Sequence, residues 1–205
     1  MNLRIFSLPL TLILIPILFF SAFASDKELQ TIKGQIFCVE QDNEGKVNSL
    51  VRYANCKGVL LVIDKNGKPY TLSGPKQEIQ RLANNPQRIQ KITGNVSGNN
   101  RAWLFSISSL EPLKPQKTEE MTIKGDIVCL ISTPDREKVL AVVSTEPCSE
   151  LEPHAHVIKT PEGTIYSIHG PEEKIIEIEK SSNRKNVSLS GTVKETDSGS
   201  ILIIE

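Results

Sequence analysis

Thr31-Ile32-Lys33-Gly34-Gln35-Ile36-Phe37-Cys38 returns, about 90 residues further along the chain, as Thr122-Ile123-Lys124-Gly125-Asp126-Ile127-Val128-Cys129. More blocks return in the same order. Cys56 returns as Cys148, and Tyr70-Thr71-Leu72-Ser73-Gly74-Pro75 as Tyr166-Ser167-Ile168-His169-Gly170-Pro171. Ile92-Thr93-Gly94-Asn95-Val96 returns as Leu189-Ser190-Gly191-Thr192-Val193. A unit of this length is too long for a solenoid repeat and long enough for a small domain. The chain therefore reads as two copies of one fold, residues 29–110 and 121–205. Residues 111–120, with two prolines and no apolar period, form the linker.

Within the first block, Ile32, Gly34, Ile36 and Cys38 share one parity and Lys33 and Gln35 the other. That alternation predicts a half-buried strand with Cys38 on its core side. The glycine in the same place in both copies predicts a bulge or bend. Val59 to Asp64 and Lys68 to Ser73 flank Asn66-Gly67, a strong hairpin signal. The second copy has His156 to Lys159, then Pro161-Glu162-Gly163, then Thr164 to His169. Gly-Pro follows each hairpin and opens a helix, from Pro75 to the stop at Asn84-Asn85-Pro86, and from Pro171 to about Lys180. Ile175, Ile176 and Ile178 form the expected buried stripe of the second helix, and Glu172, Glu173, Glu177 and Glu179 its solvated face. A last hairpin turns at Ser97-Gly98-Asn99-Asn100 in one copy and Asp197-Ser198-Gly199 in the other.

The order strand, strand, strand, helix, strand, strand thus occurs twice, which makes the fold class mainly β. It resembles the oligonucleotide/oligosaccharide-binding (OB) fold, a five-stranded Greek-key barrel with a helix between its third and fourth strands. Gly34, Cys38 and Gly74-Pro75, with Gly125, Cys129 and Gly170-Pro171, resemble the corresponding steps of small exported bacterial OB-like domains. The resemblance implies tandem barrels. It also implies a ligand face on the second and third strands and neighbouring loops, here the long connections 41–57 and 132–153.

Residues 1–24 are a different material. Arg4 is their only charge, Ile5 to Phe20 is almost wholly apolar, and Ala22-Phe23-Ala24 fits a signal-peptidase site. The expectation is a cleaved signal peptide, a mature start at Ser25, and a periplasmic or secreted protein with no membrane span. A retained anchor is the alternative. Export turns four cysteines into candidates for two disulfides. Each copy holds one pair, so Cys38–Cys56 and Cys129–Cys148 are the pairings a duplicated, self-folding unit keeps. Their 17 and 18 intervening residues differ from the Cys-x-x-Cys of redox dithiols.

The chain carries 24 basic and 24 acidic residues, so it has no basic field to attract nucleic acid or anionic membrane. At 5% aromatics it has few platforms for base stacking. No nucleophile elbow, phosphate loop or dinucleotide motif is present, so no catalytic residue is assigned and the chain is not expected to be an enzyme. Trp103, beside Phe105 and Ile107, reads as core. Asn95 and Asn186 stand in glycosylation tripeptides and are expected to face outward.

All three histidines lie in the second copy. His154 and His156, two apart on a strand, project to one face and are candidate ligands for zinc or copper; His169, on the paired strand, is a candidate third. Ser73 stands at the place of His169 in the first copy, with Leu60 and Val62 near those of His154 and His156. The leading expectation is a non-catalytic envelope protein that binds a small ligand or another envelope protein, without a cofactor. The alternative is a metal-binding envelope protein using these histidines.

Overall fold

The computed structural model describes residues 29–51, 55–85, 88–108, 117–142, 146–149, 151 and 153–205. The expected signal peptide and most of the expected linker lie outside these. Among the described residues no helix is long and apolar enough to cross a membrane.

The first half contains β1 (Gln30–Gln41), β2 (Val47–Leu50), β3 (Val59–Asp64), β4 (Pro69–Ser73), α1 (Lys76–Ala83), β5 (Ile89–Gly98) and β6 (Trp103–Ile107). The second contains β7 (Thr118–Ser132), β8 (Val139–Val142), β9 (His154–Lys159), β10 (Ile165–His169), α2 (Glu172–Lys180), β11 (Val187–Thr196) and β12 (Gly199–Ile204). The molecule is mainly β. β7 begins three residues inside the stretch read as linker, because Thr118 already pairs with Lys194 of β11.

The first sheet runs β1-β3-β4-β6-β5 and closes by β5 returning to β1, a five-stranded barrel. β4 and β6 pair in parallel and the other neighbours antiparallel. The second sheet repeats the pairings as β7-β9-β10-β12-β11, with β11 returning to β7 and β10 parallel to β12. β1 serves three neighbours because it bends. Its first half pairs with β5, its middle with β3 and its end with β2. Gly34 stands at the bend, where an added Cβ would collide with the Ile63 carbonyl; Gly125 stands likewise against Lys159.

Each sheet carries one strand more than its expected five. β2 and β8 are four-residue hairpin arms; β2 alternates half-buried with exposed residues, whereas β8 does not alternate. They lie in the two long connections expected to carry recognition, and they meet one another. The Ser49 hydroxyl donates to the Val139 carbonyl at 2.6 Å.

The two sheets are not beads on a string. Ile36, Cys38, Leu60 and Val62 face the interior of the first unit. The alternate residues Phe37, Val39, Val59, Leu61 and Ile63 pack instead against Val128, Leu130, Val139, Val157 and Ile165 of the second. These strands are buried on both sides, which explains an apolar run such as Val59-Leu60-Leu61-Val62-Ile63. Matching positions meet across the junction: the hydroxyls of Thr71 and Ser167 share a hydrogen bond of 2.6 Å. The β11–β12 turn reaches the first sheet, with Ser198 donating to the Leu72 carbonyl at 2.6 Å. The β5–β6 turn reaches back, with Asn99 donating to the Gly170 carbonyl at 2.7 Å. Contacts between like elements are those of an isologous, two-fold pair.

Both helices follow their Gly-Pro steps. α2 buries Ile175 and Ile178 as expected but leaves Ile176 half-buried, and it buries Glu179, which was placed on the solvated face. Glu179 is 1% exposed, and its carboxylate lies 3.1 Å from Arg101 of the first unit. Trp103 is half-buried against the first interior, with the Lys68 ammonium 4.1 Å above its ring. Asn186 is exposed, whereas Asn95 is half-buried with an enclosed, unpaired Oδ1.

Candidate metal centre

Cys129 lies on the interior side of β7, where Ile123 and Ile127 share its parity. β9 runs antiparallel beside it, with His156 directly opposite Cys129 and His154 opposite Ile131. His154, His156 and Ile158 share a parity, so both imidazoles enter the interior rather than solvent; they are 3% and 2% exposed.

Cys148 arrives from the connection before β9. Its N–H donates to the Glu179 carbonyl at 2.8 Å, which ties this segment to the C-terminal end of α2. The carbonyls of that last helical turn have no partner within the helix and must find one outside. Arg184 is the other partner. From the loop between α2 and β11 its guanidinium donates to the carbonyls of Glu179 (3.0 Å) and Ser181 (3.1 Å). The Arg184 carbonyl in turn accepts from the Ile127 N–H at 2.8 Å.

Four donor atoms converge there: Sγ of Cys129 and Cys148 and Nε2 of His154 and His156, all within 4.8 Å of one another and all on buried residues. Sγ of Cys129 and Cys148 are 3.2 Å apart. The Cys148 sulfur lies 3.2 Å from His154 Nε2 and 3.5 Å from His156 Nε2, and the two Nε2 atoms are 3.1 Å apart. Arg184 spans both sulfurs with its fork, one nitrogen 2.6 Å from Cys129 and the other 2.9 Å from Cys148.

The expected Cys129–Cys148 disulfide is therefore corrected: both cysteines are free. Their surroundings give the reason. A disulfide sulfur is a poor acceptor and a poor ligand, whereas these sulfurs face a guanidinium and two imidazoles, partners suited to thiolates. The expected Cys38–Cys56 disulfide is present, with Cα atoms 5.6 Å apart. Glu40 stands near that pair, but a bonded pair has no thiolate to offer a metal.

Electrostatics follow the geometry. The Cys129 thiol donates to Cys148, which pushes the Cys148 thiol well below its ordinary range and raises that of Cys129. The imidazoles of His154 and His156 hold Cys148 down further. Burial pushes His156 down, so the ring stays neutral and its nitrogen available as a ligand. Burial opposes the charge of Arg184, but its bonds to the Cys148 and Cys129 sulfurs hold the guanidinium above its ordinary value.

Of the three histidines named from the sequence, the structure brings two together. His169 lies on the opposite side of β10 from the interior, and its Nε2 is 3.0 Å from both Ser167 and Thr71 at the junction of the units. The hairpin register contains that information, because Ser167 pairs with the outward-facing Val157. The register also refines the match between copies. Cys38 faces Leu60 as Cys129 faces His156, so the counterparts of His154 and His156 are Gly58 and Leu60. The cavity adjoining both histidines measures about 10 Å³, space for no more than one water and none for an organic substrate.

No protein-family model, no curated protein and no solved structure matches this chain.

Proposed function

We propose that this is a non-catalytic metal-binding protein of the cell envelope, whose second unit holds one soft or borderline d¹⁰ ion between Cys129, Cys148, His154 and His156. The observation that carries the reading is the set of distances among the four donors. Bonds of about 2.3 Å to sulfur and about 2.0 Å to nitrogen give a regular tetrahedron edges of about 3.3 to 3.8 Å. Four of the six separations are 3.1 to 3.5 Å, of that scale, and those from the Cys129 sulfur to the two imidazoles lie within 4.8 Å; the sulfur pair needs to part by about half an ångström. Two thiolates and two imidazoles suit zinc or copper in a tetrahedral site. Four protein donors complete a tetrahedral shell, so the site is a closed one, fit for structure or carriage.

The closing order of the strands, the parallel third and fifth barrel strands and the helix between the third and fourth support an OB-like reading of each unit. Matching elements and matching cysteines support descent by duplication. Export rests on the composition of residues 1–24. The metal reading stands ahead of ligand recognition by the long connections because β2 and β8 of those connections are engaged with each other.

The test is elemental analysis and native mass spectrometry of the protein after export, with its thiols counted. One ion per chain and two free thiols are expected. The His154→Ala, His156→Ala double variant is expected to keep its Cys38–Cys56 bond and lose the ion. An ion-free wild type, unable to take up zinc or copper after mild reduction, would contradict the reading.

A further inference from the structure

Arg184 is 1% exposed and carries a full positive charge in the interior of the second unit. A buried charge needs an opposite one within reach. Among the described residues, none of the hydrogen-bond acceptors of its guanidinium is a carboxylate: they are the sulfurs of Cys129 and Cys148 and the carbonyls of Ile178, Glu179 and Ser181. The nearby Glu179 carboxylate pairs instead with Arg101, which leaves that couple neutral. The counter-charge of Arg184 is therefore the sulfur pair.

From this balance we infer that Arg184 tunes the centre for a monovalent soft cation, Cu(I), rather than Zn(II). The inference rests on the metal reading above. Two ligating thiolates contribute two negative charges, Arg184 one positive charge, and the neutral imidazoles none. A monovalent ion brings the enclosed group to zero, whereas a divalent ion leaves one positive charge uncompensated. The fork adds a geometric preference: each sulfur accepts an N–H bond, which sustains two adjacent thiolates without a second unit of metal charge. Thiolate ligands favour Cu(I) on chemical grounds as well. Unit one has neither the imidazoles nor free thiols, so the device belongs to the second unit alone.

Thiolate sites favour Cu(I) in any case, so the decisive quantity is how the Cu(I)-to-Zn(II) preference changes when Arg184 is altered. The reduced protein is titrated under anaerobic conditions with Cu(I) against a chromophoric Cu(I) chelator and with Zn(II) against a zinc chelator. Wild type, Arg184→Gln and Arg184→Lys are compared. One extra positive charge about 5 Å from a guanidinium, at an effective dielectric of about 20, corresponds to a factor on the order of 100. Arg184→Gln is thus expected to narrow the preference for Cu(I) on the order of 100-fold, chiefly by tighter Zn(II) binding. Arg184→Lys, which keeps the charge and loses the fork, is expected to retain most of the preference. A wild type that takes Zn(II) in preference to Cu(I), or an unchanged ratio in Arg184→Gln, overturns the inference while leaving the metal site intact. A wild type that binds neither ion overturns the metal reading itself. Should Arg184→Gln not fold, the wild-type ratio and the lysine variant still decide: loss of the preference in Arg184→Lys contradicts a role for the charge.

Discussion

Two cysteine pairs occupy corresponding places in the two units and meet different fates. In the first, Cys38 lies beside Leu60 in an apolar interior, and the pair is closed by a disulfide. In the second, Cys129 lies beside His156, and the pair stays open among two imidazoles and a guanidinium. The backbone supplies the same address in both. What differs is the strand facing it, where Gly58 and Leu60 are replaced by His154 and His156, and a loop that turns Arg184 inward. A fold that positions two sulfurs can thus serve either a crosslink or a ligand cage, and the neighbours decide which.

The contrast breaks most sharply if the two pairs are removed in turn. Cys148→Ala deletes a thiolate from the proposed four-ligand site, and metal affinity is expected to fall on the order of 1,000-fold in a competition titration. The Cys38→Ala, Cys56→Ala double variant is expected to leave that affinity unchanged. The junction of the units comes next. Leu61 is fully buried between them, so Leu61→Ala is expected to cost about 4 kcal/mol in urea unfolding, with one cooperative transition for both units. Independent melting of two units would show that the shared apolar layer contributes little. The Cys38→Ala, Cys56→Ala variant itself is expected to lose about 3 kcal/mol, since its closed loop no longer restricts the unfolded chain.

The smallest effect concerns His169, whose counterpart in the first unit is Ser73. Burial pushes its pKa down to about 4, from about 6.5 in an unfolded chain. The unfolded state therefore takes up the proton first as pH falls. The stability tied to neutral His169 is complete above about pH 6.5 and is lost as pH drops towards 4. Between pH 7 and pH 5 the loss is about 2 kcal/mol, and His169→Ser is expected to flatten that part of the profile. An identical acid profile in the variant would assign the acid sensitivity to other groups.

Much of this architecture is legible in the sequence. Strand parity located Cys38 and Cys129 on interior faces, the turn glycines marked the hairpins, and Gly-Pro marked both helix starts. The repeat logic then misled: symmetry in cysteine positions suggested symmetry in bonding, although the histidines already broke it. Glu179 was legible too, because it lies four residues after Ile175 on the buried face of α2. β2 and β8 were not, since four residues are too few to establish a period in a sequence. Nor was Arg184, one cation in the polar run Lys180-Ser181-Ser182-Asn183-Arg184-Lys185, whose inward turn depends on carbonyls that only the folded helix end presents.

The most direct test is X-ray absorption at the metal edge of the loaded, full-length protein. A first shell of two sulfurs at about 2.3 Å and two imidazole nitrogens at about 2.0 Å is the predicted result. A shell of oxygen and nitrogen alone, or a Cys129–Cys148 disulfide in the metal-loaded protein, would contradict it.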